Sequence, residues 1–275
     1  MKIGMMAMNF ENNATLEDIL KEAHQYGMNV VDAGVADLLG DEERIARVRE
    51  LSRSYGVDIE SGFGDNYIEN AERQEYGGFE ELCKKVYVPL GIKTLATASS
   101  HHRWRKDPPL EEQLRRMAAA LKKLAPVAEA YGLTLCIENH ADYRVSEVIR
   151  IIDMADSPAV RAKFDSANCF CVLEDPVEAA RAIAPYVRST HIKDNSLHPL
   201  SDGQMLSIRF ESLGEGDADI PSVIHMLARR APDPCTLPWI IEIDGGKPPR
   251  GHTYESCITG SLSFLRSLLE KEGIK

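Results

Sequence analysis

The chain has 275 residues, 44% hydrophobic and 27% charged, with 32 Lys and Arg against 43 Asp and Glu for a formal charge of -11. Its 19 glycines and 14 prolines are too few for a disordered or fibrous chain, and the acid excess argues against nucleic acid as a partner, because such binders depend on clustered Lys and Arg. The length fits one or two ordinary domains of about 150 residues, or a single β/α barrel of roughly 250.

The first apolar run, Lys2 to Met8, ends at Asn9 before Glu11 and is too short for a signal-peptide core. No run approaches the ~18 apolar residues needed to cross a bilayer. Further strands are expected at Met28 to Gly34, Val57 to Gly62, Ile92 to Thr97, Leu133 to His140, Val160 to Asp165, Val187 to Asp194 and Trp239 to Asp244. Between them the apolar period becomes helical, as in Leu110, Leu114, Met117, Leu121, Leu124 and Ala128. Tyr26-Gly27, Tyr55-Gly56, Leu90-Gly91 and Tyr131-Gly132 read as helix ends, while Asp175-Pro176 and Asp219-Ile220-Pro221 read as helix starts. Asn195 to Leu213 is in excess of an ordinary βα unit and is expected to be an insertion loop over the barrel mouth. Cys83, Cys136, Cys169, Cys171, Cys235 and Cys257 form no CxxC pair or disulfide-type spacing, which points to a reducing, cytoplasmic setting.

Strict βα alternation with continuous apolar strands implies right-handed crossovers and a parallel sheet buried on both faces. Eight units favour closure into a single (β/α)8 TIM barrel over residues 1–275, and neither a GxGxxG nor a P-loop turn supports an open doubly wound sheet.

Barrel chemistry sits at the C-terminal strand ends. Glu138, Asp165, His191 and Glu242 are each the first ionisable residue at a strand tip, spaced 27 and 26 residues apart across the first three. Three carboxylates meeting at one place repel unless a cation joins them. Three oxygens and one imidazole, with no thiolate, suit Mn2+, with Mg2+ or Co2+ as alternatives, better than a closed zinc site. Ordinary helix capping or pairing with Lys and Arg is the competing explanation for each residue taken singly.

These tips lie in Ile137-Glu138-Asn139-His140, Phe164-Asp165-Ser166-Ala167-Asn168, His191-Ile192-Lys193-Asp194 and Ile241-Glu242-Ile243-Asp244, with Gly214-Glu215-Gly216-Asp217 before the seventh helix. In order and spacing the chain resembles the xylose-isomerase-like barrel superfamily of sugar phosphate isomerases and epimerases, especially its tagatose 3-epimerase and hydroxypyruvate isomerase branch. The resemblance implies that Glu138, Asp165, His191 and Glu242 hold one divalent metal and that Glu138 and Glu242 are the catalytic acid/base pair. It departs at Asn168, where related epimerases often carry His, so an amide faces the substrate in place of an imidazole. Members often form dimers or tetramers, so the resemblance is compatible with a homo-oligomer.

A cation chelating a carbonyl and a neighbouring hydroxyl stabilises an enediolate, and two carboxylates on opposite faces of the carbon permit epimerisation or isomerisation. The expected partner is thus a carbohydrate, as keto sugar, sugar phosphate or sugar acid. Elimination or decarboxylation by a lyase shares the same first step. An abasic-site endonuclease would need more strand-tip histidines and a basic surface, and a non-catalytic sugar-binding barrel is a further alternative. Strand alternation places His140 with Glu138 and Lys193 with His191. His140 is read as a substrate donor or as a residue orienting the ligands. Lys193 is read as holding a carboxylate, phosphate or oxyanion, or as a rim salt bridge. His101, His102 and Trp104 suit sugar binding or a solvated basic loop. Asp32 and Glu60 are expected to orient other side chains, Arg209 to be a surface residue, and Gly245-Gly246-Lys247 with Arg250 to offer a weak phosphate-binding signal.

Overall fold

Eight parallel strands close a barrel in the order β1-β10-β7-β6-β5-β4-β3-β2. They are β1 (Lys2–Met6), β2 (Val30–Asp32), β3 (Asp58–Gly62), β4 (Thr94–Thr97), β5 (Thr134–Glu138), β6 (Val160–Asp165), β7 (Val187–Ile192) and β10 (Pro238–Ile241). Two further strands, β8 (Asp194–His198) and β9 (Ser207–Glu211), pair antiparallel outside the barrel. This computed structural model describes residues 1–10, 14–64, 67–69, 76, 78–99, 107–198, 207–243 and 248–275. Among them, no helix is long and apolar enough to cross a membrane.

Every barrel strand lies at an expected place, but most are shorter than the apolar runs. Met8 belongs to a 3-10 turn, and His140 lies beyond the end of β5. Strand pairing stops where the chain leaves the barrel, although apolar residues continue into the packed loops. The four Tyr-Gly or Leu-Gly helix ends are observed, with φ of 67° at Gly27, 65° at Gly56, 81° at Gly91 and 66° at Gly132. Asp175 accepts the N–H groups of Val177 and Glu178, and Asp219 that of Ser222, so both aspartates start helices as expected.

Residues 199–206 of the Asn195 to Leu213 insertion lie outside the described residues; its described part forms an antiparallel strand pair, with Asp194 opposite Glu211 and His198 opposite Ser207. Asp194 anchors its base. Its Oδ2 accepts from Gly214 (2.9 Å) and Gly216 (3.0 Å), and its Oδ1 accepts from Ala218 (3.2 Å). Only glycine fits at 216, because a Cβ there would lie 2.1 Å from Asp194 Oδ1. The Gly214-Glu215-Gly216-Asp217 segment therefore serves as the clasp of this hairpin.

Gly4 does similar work between barrel strands. A Cβ at this position would come within 1.7 Å of the Val30 carbonyl oxygen, so β1 and β2 can pair only around a glycine. Outside the barrel, helices Leu16–Gln25 (α1) and Glu42–Tyr55 (α2) pack as neighbours, and Thr15 with Asp18 makes a reciprocal cap at the start of α1. The barrel interior is not wholly apolar. Lys163, Asp32, Glu60, Ser189 and His191 are all buried.

Candidate active site

Glu138 closes β5, Asp165 closes β6, His191 is the fifth residue of β7, and Glu242 directly follows β10. In register, Asp165 lies opposite His191, and His191 opposite Ile240. Glu138 instead lies opposite Lys163, two residues behind Asp165. The near-equal sequence spacing thus conceals a stagger, the shear that any tilted-strand barrel must have. The longer glutamate side chain spans it. One ligand atom from each of Glu138, Asp165, His191 and Glu242 lies within 4.8 Å of the others, and all four residues are buried.

Each side chain is held by its surroundings. Asp165 Oδ1 accepts the N–H groups of Ala167 (2.9 Å) and Asn168 (2.8 Å), so the turn after β6 fixes one oxygen. Its other oxygen is buried and accepts no hydrogen bond, with the Lys193 ammonium 3.3 Å away. The Asn139 amide clamps the Asp165 main chain from both sides, donating to its carbonyl and accepting from its N–H, each at 2.8 Å. The Glu242 N–H donates to Ile192 O at 3.1 Å, tying this carboxylate's backbone to β7.

His191 stands at the centre. Nδ1 is 2.7 Å from Glu242 Oε2 and 3.4 Å from Glu138 Oε1, while Nε2 is 3.0 Å from Asp32 Oδ2. The ring therefore offers one nitrogen to the carboxylate cluster and the other to a carboxylate outside it, the arrangement usual for a metal-binding imidazole. An orphaned carboxylate oxygen, a carboxylate-rich donor set and this oriented histidine fit a hard divalent cation.

The electrostatics follow from burial and proximity. Burial would raise Glu242, but His191 and Lys193 outweigh it and hold the carboxyl well below its ordinary value. Glu138 is likewise lowered, burial being overcome chiefly by His191. Asp165 is pushed up to about 6 by burial, with Glu242 and Glu138 adding to the rise and Lys193 opposing it. Burial and Lys163 disfavour a charged His191, yet Glu242, Glu138 and Asp32 together raise it well above the ordinary imidazole value. Crowded carboxylates thus draw positive charge to one point, which a divalent ion supplies at lower cost than shared protons.

The substrate-facing expectations divide. Asn168 donates to Glu138 Oε1 at 3.3 Å and so joins the site. Lys193 is buried, 2.7 Å from Glu242 Oε1 and 5.9 Å from the centre of the Phe210 ring, so it belongs to the ligand cluster and not to a solvated rim. Phe210 lies on β9 and was not singled out by the sequence; it brings the hairpin to the edge of the site. His140 is half-buried just beyond Glu138. His101, with His102 and Trp104, lies outside the described residues, as does Gly245-Gly246-Lys247. Arg209 and Arg250 are exposed. Asp32 orients His191, and Glu60 accepts from Ser189 Oγ at 2.6 Å. Lys163 was missed by sequence reasoning, although its place two residues before Asp165 on one strand gave it the same facing.

A family model for xylose isomerase-like TIM barrels matches residues 20–256. Among curated proteins, the chain is 26% identical over 159 residues to the uncharacterized protein YihM of Escherichia coli K12, covering 50% of this chain and 48% of that protein. It is 31% identical over 186 residues to the 3-oxo-isoapionate decarboxylase of Pectobacterium atrosepticum, covering 66% of this chain and 62% of that protein. The matches thus span about half to three-fifths of these relatives. Among solved structures, the IOLI protein with a bound zinc atom superposes with a TM-score of 0.76 at 16% identity, covering 99% of both chains. A D-psicose 3-epimerase crystallised in the presence of D-fructose gives 0.74 at 15%, covering 98% of this chain and 99% of that one. At such identities these two likenesses establish the fold alone.

Proposed function

The chain belongs to the xylose isomerase-like TIM barrel family, and from that premise we propose that it is a divalent-metal-dependent isomerase or epimerase of a keto sugar, sugar phosphate or sugar acid. The observation that carries this reading is the convergence of Glu138, Asp165, His191 and Glu242 within 4.8 Å at the C-terminal ends of neighbouring strands. These four residues would hold the ion, with manganese favoured by the oxygen-rich donor set and magnesium, cobalt or zinc as competitors. When bound, the ion supplies Lewis acidity that polarises a substrate carbonyl and stabilises the charge left by loss of the neighbouring proton.

The protein's own groups move that proton. Glu138 and Glu242 are both held ionised, ready to accept a proton from the carbon between carbonyl and hydroxyl. When one of them takes the proton and the other, having first taken up a proton from solvent, delivers that one to the opposite face, the carbon inverts; delivery to the adjacent carbon interconverts aldose and ketose. Asn168 Nδ2 keeps Glu138 oriented, and Lys193 keeps Glu242 charged between transfers. His140 stands at the mouth as a donor to a substrate oxygen.

A second reading is a lyase on a 3-oxo sugar acid. The observation favouring it is the buried Lys193 ammonium beside Glu242 and Asp165, placed to bind a substrate carboxylate, together with the likeness to a decarboxylase. Both readings are tested by incubating the metal-loaded protein in D2O with ketoses, their phosphates and 3-oxo sugar acids, followed by NMR and mass spectrometry. Deuterium gained at the carbon next to the carbonyl without loss of mass supports the isomerase. Release of carbon dioxide or water supports the lyase, and failure to bind any divalent ion overturns both.

A further inference from the structure

Beneath the four-residue cluster lies a second, fully buried group of charges. Lys163 sits two residues before Asp165 on β6, so its side chain enters the barrel on the same face, one layer deeper. It has no exposed side-chain surface. Its ammonium donates to Asp32 Oδ2, and Glu60 Oε2 is 4.0 Å away. The same Asp32 oxygen lies 3.0 Å from His191 Nε2. Residues from β6, β2 and β7 thus form one chain, Lys163 to Asp32 to His191, ending on the nitrogen turned away from Glu138 and Glu242. The usual filling of this layer is branched apolar side chains, and burying an ammonium in their place carries a heavy desolvation cost.

We propose that Lys163 is a positioning residue for the metal centre, acting through Asp32 to hold His191 with its proton on Nε2 and its Nδ1 lone pair facing the ion. The inference rests on the metal-dependent reading above and adds a residue to it. The Asp32 oxygen that faces His191 Nε2 is held from its other side by the Lys163 ammonium, so the carboxylate is fixed against the ring. With Lys163 donating to it, Asp32 stays an acceptor, so the ring has one orientation and one tautomer. Nδ1 is then left without a proton of its own and is directed at the position shared by Glu138 and Glu242. Glu60 is held aside by Ser189 and adds a further negative neighbour that retains the ammonium.

The test uses Co2+ as the probe, with calorimetry for affinity and the visible absorption spectrum for coordination geometry. Lys163→Met is expected to weaken Co2+ binding 10-fold to 100-fold, in the range found when an outer partner of a metal-binding histidine is removed, and to alter the spectrum. Lys163→Arg, which keeps a cation in place, is expected to recover part of both. Loss of packing alone would lower the melting temperature without changing the spectrum. An unchanged affinity and spectrum in folded Lys163→Met overturns the inference while leaving the metal reading intact. If that variant does not fold, Asp32→Asn decides in its place, with the same 10-fold to 100-fold weakening expected and unchanged binding overturning the inference. In the parent protein loaded with Zn2+, 15N NMR of the histidines is expected to show His191 protonated on Nε2, and a proton on Nδ1 overturns the inference whatever the variants do. Failure of the parent to bind Co2+, Mn2+, Mg2+ or Zn2+ overturns the proposed function itself, and this inference with it.

Discussion

Glu138 and Glu242 are chemically alike but differently surrounded, and their variants should differ accordingly. Glu242 contacts both His191 and Lys193, whereas Glu138 is oriented by Asn168 and lies farther from the imidazole. Replacing either with Gln is expected to lower kcat by about 100-fold to 10,000-fold, the range for a positioned acid or base. Glu242→Gln should also weaken metal binding more than Glu138→Gln does, because it leaves the Lys193 ammonium short of one partner inside a buried site. Steady-state kinetics and calorimetric metal titration of the two variants check both points. Equal metal affinities would show that Lys193 does not couple to the ion. At this scale the sequence was informative where chemistry demands a residue type: all four ligand candidates stand at strand ends. It was silent where one side chain is explained by another far away in the chain. Lys163 and Asp32 are 131 residues apart, and nothing local joins them.

At the scale of elements, two contacts invite measurement. Arg44 on α2 donates to both oxygens of Glu17 on α1, each at 3.1 Å. These hydrogen bonds hold the Glu17 carboxyl below its ordinary 4.5, outweighing its partial burial. A carboxylate lowered in the folded state contributes stability above its unfolded pKa and loses it as pH falls through the folded value. Glu17→Gln is therefore expected to cost about 0.5–1 kcal/mol at pH 7, as partly buried bidentate pairs at a protein surface do. In urea unfolding the difference from the parent should shrink below pH 4.5 and vanish in stronger acid; a difference independent of pH would mean that packing, and not charge, joins the helices. The hairpin clasp offers the other test. Gly216→Ala places a methyl 2.1 Å from Asp194 Oδ1 and 2.7 Å from the Asn195 carbonyl. A cost of about 1–3 kcal/mol is expected from overpacking, with hydrogen exchange accelerated in β8 and β9 before it rises in the barrel strands. The hairpin was unreadable in the sequence because β8 begins one residue after the Lys193 that separates it from β7, so two strands looked like one run and a loop.

For the whole molecule, the proposed metal site would couple folding to ion binding. Five ionisable side chains on four barrel strands, Asp32, Glu138, Lys163, Asp165 and His191, are buried together with Lys193 and Glu242, which lie just past β7 and β10. An ion that binds only the folded state adds RT ln(1 + [L]/Kd), about 2.7 kcal/mol at one hundred times Kd. At the few degrees per kcal/mol usual for a chain of this size, saturating Mn2+ is expected to raise the melting temperature by about 5–10 °C, and EDTA to reverse the gain. A melting temperature indifferent to both would argue against a cation at this cluster. Assembly with a second copy of the chain is a proposal that sedimentation velocity tests.

The amino-acid sequence by itself determined the architecture of this protein and the strand-tip positions of the residues proposed as metal ligands. Hydrophobic period, glycine stops and proline starts are local signals, each read within a few residues, and eight repeats of them leave closure into a barrel as the consistent outcome. The strand-tip carboxylates and His191 were legible for the same reason, since position on a strand is a local property that the barrel converts into convergence. Only the tertiary structure decided which groups touch. Shear set Glu138 two residues behind Asp165, Asn139 was seen to clamp the Asp165 backbone, and Lys193 proved to be buried among carboxylates. It also decided that Lys163 reaches Asp32 across the barrel interior. Such contacts depend on strand tilt and side-chain reach, which have no counterpart in sequence spacing, and they set the charge and orientation of the groups that the sequence could only name.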